Sequence, residues 1–80
     1  MKLPRDTSGR DLVRALDRLG YHISHQTGSH IRLTRMGPPE HNVTVPDHTP
    51  LKIGTLSWIL KDVAEHNGLE KDDLIRLLWG

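Results

Sequence analysis

The sequence predicts a two-layer α+β sandwich, α-β-β-β-α with an extra short C-terminal helix, and three observations carry that prediction. Apolar residues recur at helical spacing towards both ends of the chain, at Leu12, Leu16 and Leu19 and again at Leu56, Ile59, Leu60 and Val63. Between them, residues 21–26, 30–35 and 41–46 alternate apolar and polar side chains with a period of two, the signature of half-buried strands. Glycine and proline punctuate those stretches at Gly20, Gly28, Gly37-Pro38-Pro39 and Pro46.

Taken in order, residues 1–7 form an N-terminal arm and residues 9–19 a first helix, with Ser8 as N-cap, Asp11 completing a capping box and Gly20 as the stop. Tyr21 to Gln26 follows as a strand expected to turn Tyr21 and Ile23 inward and His22, Ser24 and Gln26 outward. Thr27-Gly28-Ser29 then makes a tight hairpin connection in which Gly28 supplies a positive φ. On the second strand, Ile31 and Leu33 enter the core, so His30, Arg32 and Thr34 share the other side. Two prolines forbid continuing that strand through 36–40, and Asn42-Val43-Thr44-Val45 alternates again until Pro46. A polar connection leads to a helix over 55–67 and, after Asn67-Gly68, to a short helix over 70–79 with Glu70, Asp72 and Asp73 near its start.

Eighty residues make one small domain, expected to bury about 60% of the surface of its unfolded chain, which leaves little room for an enclosed pocket. The absence of cysteine excludes a disulfide framework and thiolate chemistry. No apolar run approaches membrane-spanning length and no signal-peptide pattern opens the chain, so the expectation is a cytoplasmic protein. The net charge of +1 hides an asymmetry: residues 1–35 hold seven Lys/Arg against three acids, net +4, and residues 36–80 hold four against seven, net −3. Six of the seven cations in the first part are arginines, suited to bidentate contacts with phosphate or carboxylate. Arg10, Arg14 and Arg18 recur every fourth residue, a stripe that could follow a phosphate backbone or be consumed locally by Asp6, Asp11 and Asp17.

The uncovered sheet face is thus expected to show Ser24, Gln26, His30, Arg32, Thr34, Asn42 and Thr44, polar, nearly flat and carrying one base. Such a surface suits an extended polymer better than a small metabolite, whose pockets are concave and mostly apolar. RNA carries its own nucleophile in the 2′-hydroxyl; a histidine that removes its proton, beside a guanidinium that stabilises the charged phosphate, is the minimal kit for cleaving it. The plainer role for His30 is that of a hydrogen-bonded hairpin histidine. For the other histidines, strand alternation is expected to turn His22 and His25 to opposite faces, and no zinc-ligand spacing occurs. Trp58 lies off the apolar stripe of its helix and is expected to pack against the last helix or to anchor a protein partner, and Trp79 to cover the end of the core.

Four segments in order, Ser8-Gly9-Arg10-Asp11-Leu12, Gly28-Ser29-His30, Val43-Thr44-Val45-Pro46 and Leu51-Lys52-Ile53-Gly54-Thr55-Leu56, resemble the HicA toxin family of bacterial mRNA interferases, over residues 8–69. The resemblance implies a fold like that of double-stranded-RNA-binding domains, cleavage of messenger RNA without metal or other cofactor, and neutralisation by a HicB-type antitoxin covering the active surface. It places the catalytic histidine, the one in the Gly-Ser-His motif, at His30; Arg32 beside it, the hairpin residues Gly28 and Ser29, and the cations Arg10, Arg14 and Lys52 are the candidate supporting or RNA-binding residues. Ile53 stands where family members commonly have proline, and the passage between the last two helices is longer than usual. A non-catalytic RNA-binding module and a protein-interaction domain are the competing readings of the same face.

Overall fold

The computed structural model describes residues 3–80; Met1 and Lys2 of the expected arm lie outside them. Helix α1 (Gly9–Leu16) runs into a single 3-10 turn (Asp17–Leu19), followed by strands β1 (Tyr21–Thr27), β2 (His30–Arg35) and β3 (His41–Pro46) and helices α2 (Ile53–His66) and α3 (Lys71–Trp79). The strands form an antiparallel meander in the order β1-β2-β3. Ile31, Leu33, Val43 and Val45 point from one face of this sheet into a core shared with Leu12 and Leu16 of α1, Leu56, Leu60 and Val63 of α2, and Leu74 and Leu78 of α3. The opposite face is uncovered, so the fold is the expected α+β sandwich with one open side.

Helix α1 starts where its cap dictates. The Ser8 hydroxyl accepts from the Asp11 amide at 3.0 Å while the Asp11 carboxylate accepts from the Ser8 amide at 3.1 Å, a complete capping box. Those Ser8 bonds, with Arg14 nearby, hold the Asp11 carboxyl below its ordinary pKa. Helix α2 begins at Ile53 rather than 55: the Leu56 amide bonds the Lys52 carbonyl at 2.9 Å, and Gly54, a poor former inside a helix, is tolerated in a first turn. The Arg18 guanidinium donates to the Leu78 carbonyl at 3.2 Å and the Leu77 carbonyl at 3.5 Å, satisfying free carbonyls at the end of α3 and tying it to the 3-10 turn. Trp79 packs partly buried against the core, as expected.

Strand β1 departs from simple alternation. Ile23 lies opposite Leu33 but His25 lies opposite Arg32, so a β-bulge at Ser24 inserts one residue against β2. Beyond the bulge the parity is reversed: Gln26, expected outward, falls opposite buried Ile31, and His25 and Thr27 take the open face. Ile23 keeps the core-side orientation yet remains 48% exposed, because β1 is an edge strand that extends past the cover of α1.

At the far end of the sheet, Tyr21 is fully buried, and its phenol oxygen lies 2.7 Å from His41 Nδ1 and accepts from Asn67 Nδ2 at 3.0 Å. His41 Nε2 is 3.3 Å from Asp62, and its ring stacks on His66 with centroids 3.9 Å apart. Burial is the main cause that raises the Tyr21 pKa above its ordinary value of 10.0. The unfolded chain therefore loses the phenol proton first, and stability should fall as pH rises from about 10 through the folded pKa. Tyr21→Phe should flatten that alkaline slope in urea titrations while costing about 1 kcal/mol at neutral pH through its lost hydrogen bonds.

A close backbone approach joins α1 to the end of β3. A Cβ placed on Gly9 would overlap the Pro46 carbonyl oxygen and crowd Asp47 Cα. The Gly9 amide donates to the His48 carbonyl at 2.9 Å, which fixes the approach. Gly9→Ala, favourable for an isolated helix, should instead destabilise the protein by about 2 kcal/mol or more in urea denaturation, because backbone rather than a flexible side chain must move.

Candidate functional site

The hairpin between β1 and β2 has two central residues, Gly28 with φ +54° and Ser29 with negative φ, the sign pattern of a II′ turn. Its far end is sewn to the end of β3, since the Asp47 amide donates to the Ser29 carbonyl at 2.6 Å. His30 therefore starts β2 at a fixed place, between Thr27 on β1 and Pro46 on β3. Because Ile31 and Leu33 are fully buried, His30 and Arg32 project together from the open face, both exposed. Two residues on a strand stand about 6.8 Å apart, a spacing that a phosphate group can bridge.

Around them the face is polar and largely interconnected. Thr34 Oγ1 lies 2.8 Å from Ser24 Oγ and 2.6 Å from Asn42 Oδ1, a hydroxyl bonded on both sides across the three strands. His25 Nε2 lies 2.6 Å from Thr27 Oγ1. His30 and Arg32, by contrast, have no side-chain hydrogen bond or ion pair among the described residues, so both heads are available to a ligand.

The other supporting residues fall elsewhere. Arg10 pairs with Asp47 at 3.2 Å rather than with Asp6, Arg14 pairs with Asp11, and Arg18 holds α3. The arginine stripe of α1 is thus consumed by the fold, and only Arg10, through Asp47, lies near the hairpin. Lys52 is exposed at the N-cap of α2 without a side-chain capping bond. Trp58 is 68% exposed, which overturns the expectation that it packs against α3; it walls a groove of about 350 Å³ with Thr44, Pro46, Gly54, Thr55 and Ile59. Its place off the Leu56-Ile59-Leu60-Val63 stripe was the signal for exposure.

His25 is the residue that sequence reasoning put on the wrong side. The bulge at Ser24 brings it opposite Arg32 and onto the same face as His22, His30 and Arg32. His22 is engaged with Asp17, Nδ1 to Oδ1 at 2.9 Å. Among the described residues no three His, Asp or Glu side chains gather as a metal-ligand set, and no helix is long and apolar enough to cross a membrane.

The chain matches the family described as the HicA toxin of bacterial toxin–antitoxin systems over residues 9–64. The chain belongs to the HicA toxin family. Neither a curated protein nor a solved structure matches it. Residues 9–64 take in α1, the whole sheet and nearly all of α2, and so include Gly9, His30, Arg32 and Pro46. Family membership connects the chain to toxin–antitoxin systems.

The turn and the two exposed side chains should separate cleanly in stability measurements. Gly28→Ala, forced to a positive φ, should cost about 1 kcal/mol or more, whereas His30→Ala and Arg32→Ala should stay within about 0.5 kcal/mol of the parent in urea denaturation.

Proposed function

We propose that this HicA-family protein is an endoribonuclease toxin that cleaves messenger RNA with His30 as general base, and that a HicB-type antitoxin restrains it in the cytoplasm. The single observation that carries the reading is the shared outward projection of His30 and Arg32 from a sheet face, with no competing side-chain partner for either among the described residues.

Neutral imidazole at His30 takes the proton of a ribose 2′-hydroxyl, the 2′-oxygen attacks the adjacent phosphorus, and the bond to the 5′-oxygen breaks. Arg32 holds the phosphate oxygens and offsets the charge that builds on them. The nucleophile belongs to the substrate, so the chemistry requires no bound metal, and DNA, which lacks the 2′-hydroxyl, is not cleaved. Gly28 and Ser29 act by fixing where β2 begins. Lys52 extends the positive field around the face, while Arg10 and Arg14 contribute less because Asp47 and Asp11 already neutralise them. An antitoxin that lies over the open face would shield His30 and Arg32 together, which accounts for inhibition without any change in the toxin's fold.

His30→Ala should abolish RNA cleavage and growth inhibition on expression while retaining the fold and an RNA affinity that falls with added salt. Unchanged cleavage by His30→Ala, or a requirement for divalent metal revealed by chelation, would overturn the mechanism. Retained RNA binding with no cleavage by the parent protein would instead favour the non-catalytic module.

A further inference from the structure

We propose that His25 is the general acid of the same reaction, the group that protonates the departing 5′-oxygen; this rests on the reading of His30 as base. A chain without a bulge would point His25 away from the substrate. The extra residue at Ser24 places it directly across from Arg32, in the register where paired side chains leave the sheet on the same side. His30 precedes Arg32 by two residues on β2, so His25 and His30 are diagonal neighbours, with Cα atoms about 7–8 Å apart. Arg32 adjoins both. Three groups of the kind phosphoryl transfer uses therefore surround one spot on an otherwise neutral face.

The arrangement suits in-line displacement, in which the entering 2′-oxygen and the leaving 5′-oxygen lie on opposite sides of phosphorus. Two imidazoles separated by the width of a phosphate can serve the two oxygens, while Arg32 holds the non-bridging ones. In the forward step His30 gains the 2′-hydroxyl proton, the 2′-oxygen–phosphorus bond forms, the phosphorus–5′-oxygen bond breaks, and imidazolium at His25 gives its proton to the 5′-oxygen. The products are a 2′,3′-cyclic phosphate and a 5′-hydroxyl, and exchange with water resets both rings. The hydrogen bond between His25 Nε2 and Thr27 Oγ1, 2.6 Å in length, keeps the ring over the face beside the rung that holds His30. His22, the other histidine on this face, is turned to Asp17 and is not in position to compete.

A substrate that does not need an acid gives the test. With an ordinary oligoribonucleotide, His25→Ala should cut kcat by about 100-fold or more, and the decline of kcat/KM on the alkaline side of its pH profile should disappear. With sulfur replacing the 5′-oxygen at the scissile bond, the leaving thiolate needs no proton, and His25→Ala should cleave within about threefold of the parent while His30→Ala stays inactive. Equal cleavage of the ordinary RNA by parent and His25→Ala overturns the proposal. Equal loss on both substrates also overturns it, because His25 would then serve binding or folding. A parent protein inert on both substrates overturns the base reading of His30 and the role of His25 with it, a result distinct from failure of His25 alone.

Discussion

The approach of Gly9 to the Pro46 carbonyl is the constraint on which the site depends. It seats the start of α1 against the end of β3, and the neighbouring segments lock around it: the Gly9 amide bonds His48, Arg10 pairs with Asp47, the Asp47 amide bonds Ser29, and the Leu51 amide bonds Thr7. Four sequence segments scattered over more than half of the chain meet at one end of the domain. Only a residue without a Cβ permits that distance, and the II′ turn at Gly28 directs the hairpin into the same junction. His30 is consequently held between Thr27 and Pro46 by strand pairing, while its ring has no partner among the described residues.

That junction also explains how function and stability divide along the sheet. At the end near His30, polar side chains face water, and His30 and Arg32 have no side-chain partner among the described residues. At the other end, Tyr21, His41, Asp62 and Asn67 spend their polar atoms on one another, while His66 stacks on His41 and its Nε2 is buried without a hydrogen-bond partner among the described residues. The arginines follow the same division. Arg10 of α1 pairs with Asp47 just past β3, Arg14 with Asp11 of the capping box, Arg18 of the 3-10 turn holds the end of α3, and Arg35 donates to the Leu19 carbonyl at 3.0 Å; Arg32, in the middle of the open face, is left for an anionic ligand. An excess of arginine in a segment is therefore a poor guide to a binding surface until each guanidinium is followed to its partner.

Much of this was legible in the sequence because it follows from local rules. Ser8 and Asp11 specify a cap, Gly28 a turn, and the alternation of Ile31 and Leu33 the outward face of His30, each from residues adjacent in the chain. The bulge at Ser24 was not legible: Tyr21 and Ile23 set the parity of the first half of the strand, but His25, Gln26 and Thr27 are polar whichever way they point, and the choice there is made by pairing with β2, where Leu33 and Ile31 impose the register from outside the strand. The exposure of Trp58, by contrast, was signalled by its place off the apolar stripe of α2. The same register error hid His25, so the residue missed by sequence reasoning is the one the structure adds to the site.

In the proposed reaction the open face uses the ribose's own 2′-hydroxyl as nucleophile. The direct measurement is the chemistry of the cut ends, read by mass spectrometry of an oligoribonucleotide digested with purified protein. Products ending in 2′,3′-cyclic phosphate with 5′-hydroxyl partners, and no cut at a nucleotide whose 2′-hydroxyl is methylated, are the predicted result. Products bearing 3′-hydroxyl and 5′-phosphate ends, or cleavage that persists at the methylated position, would contradict it.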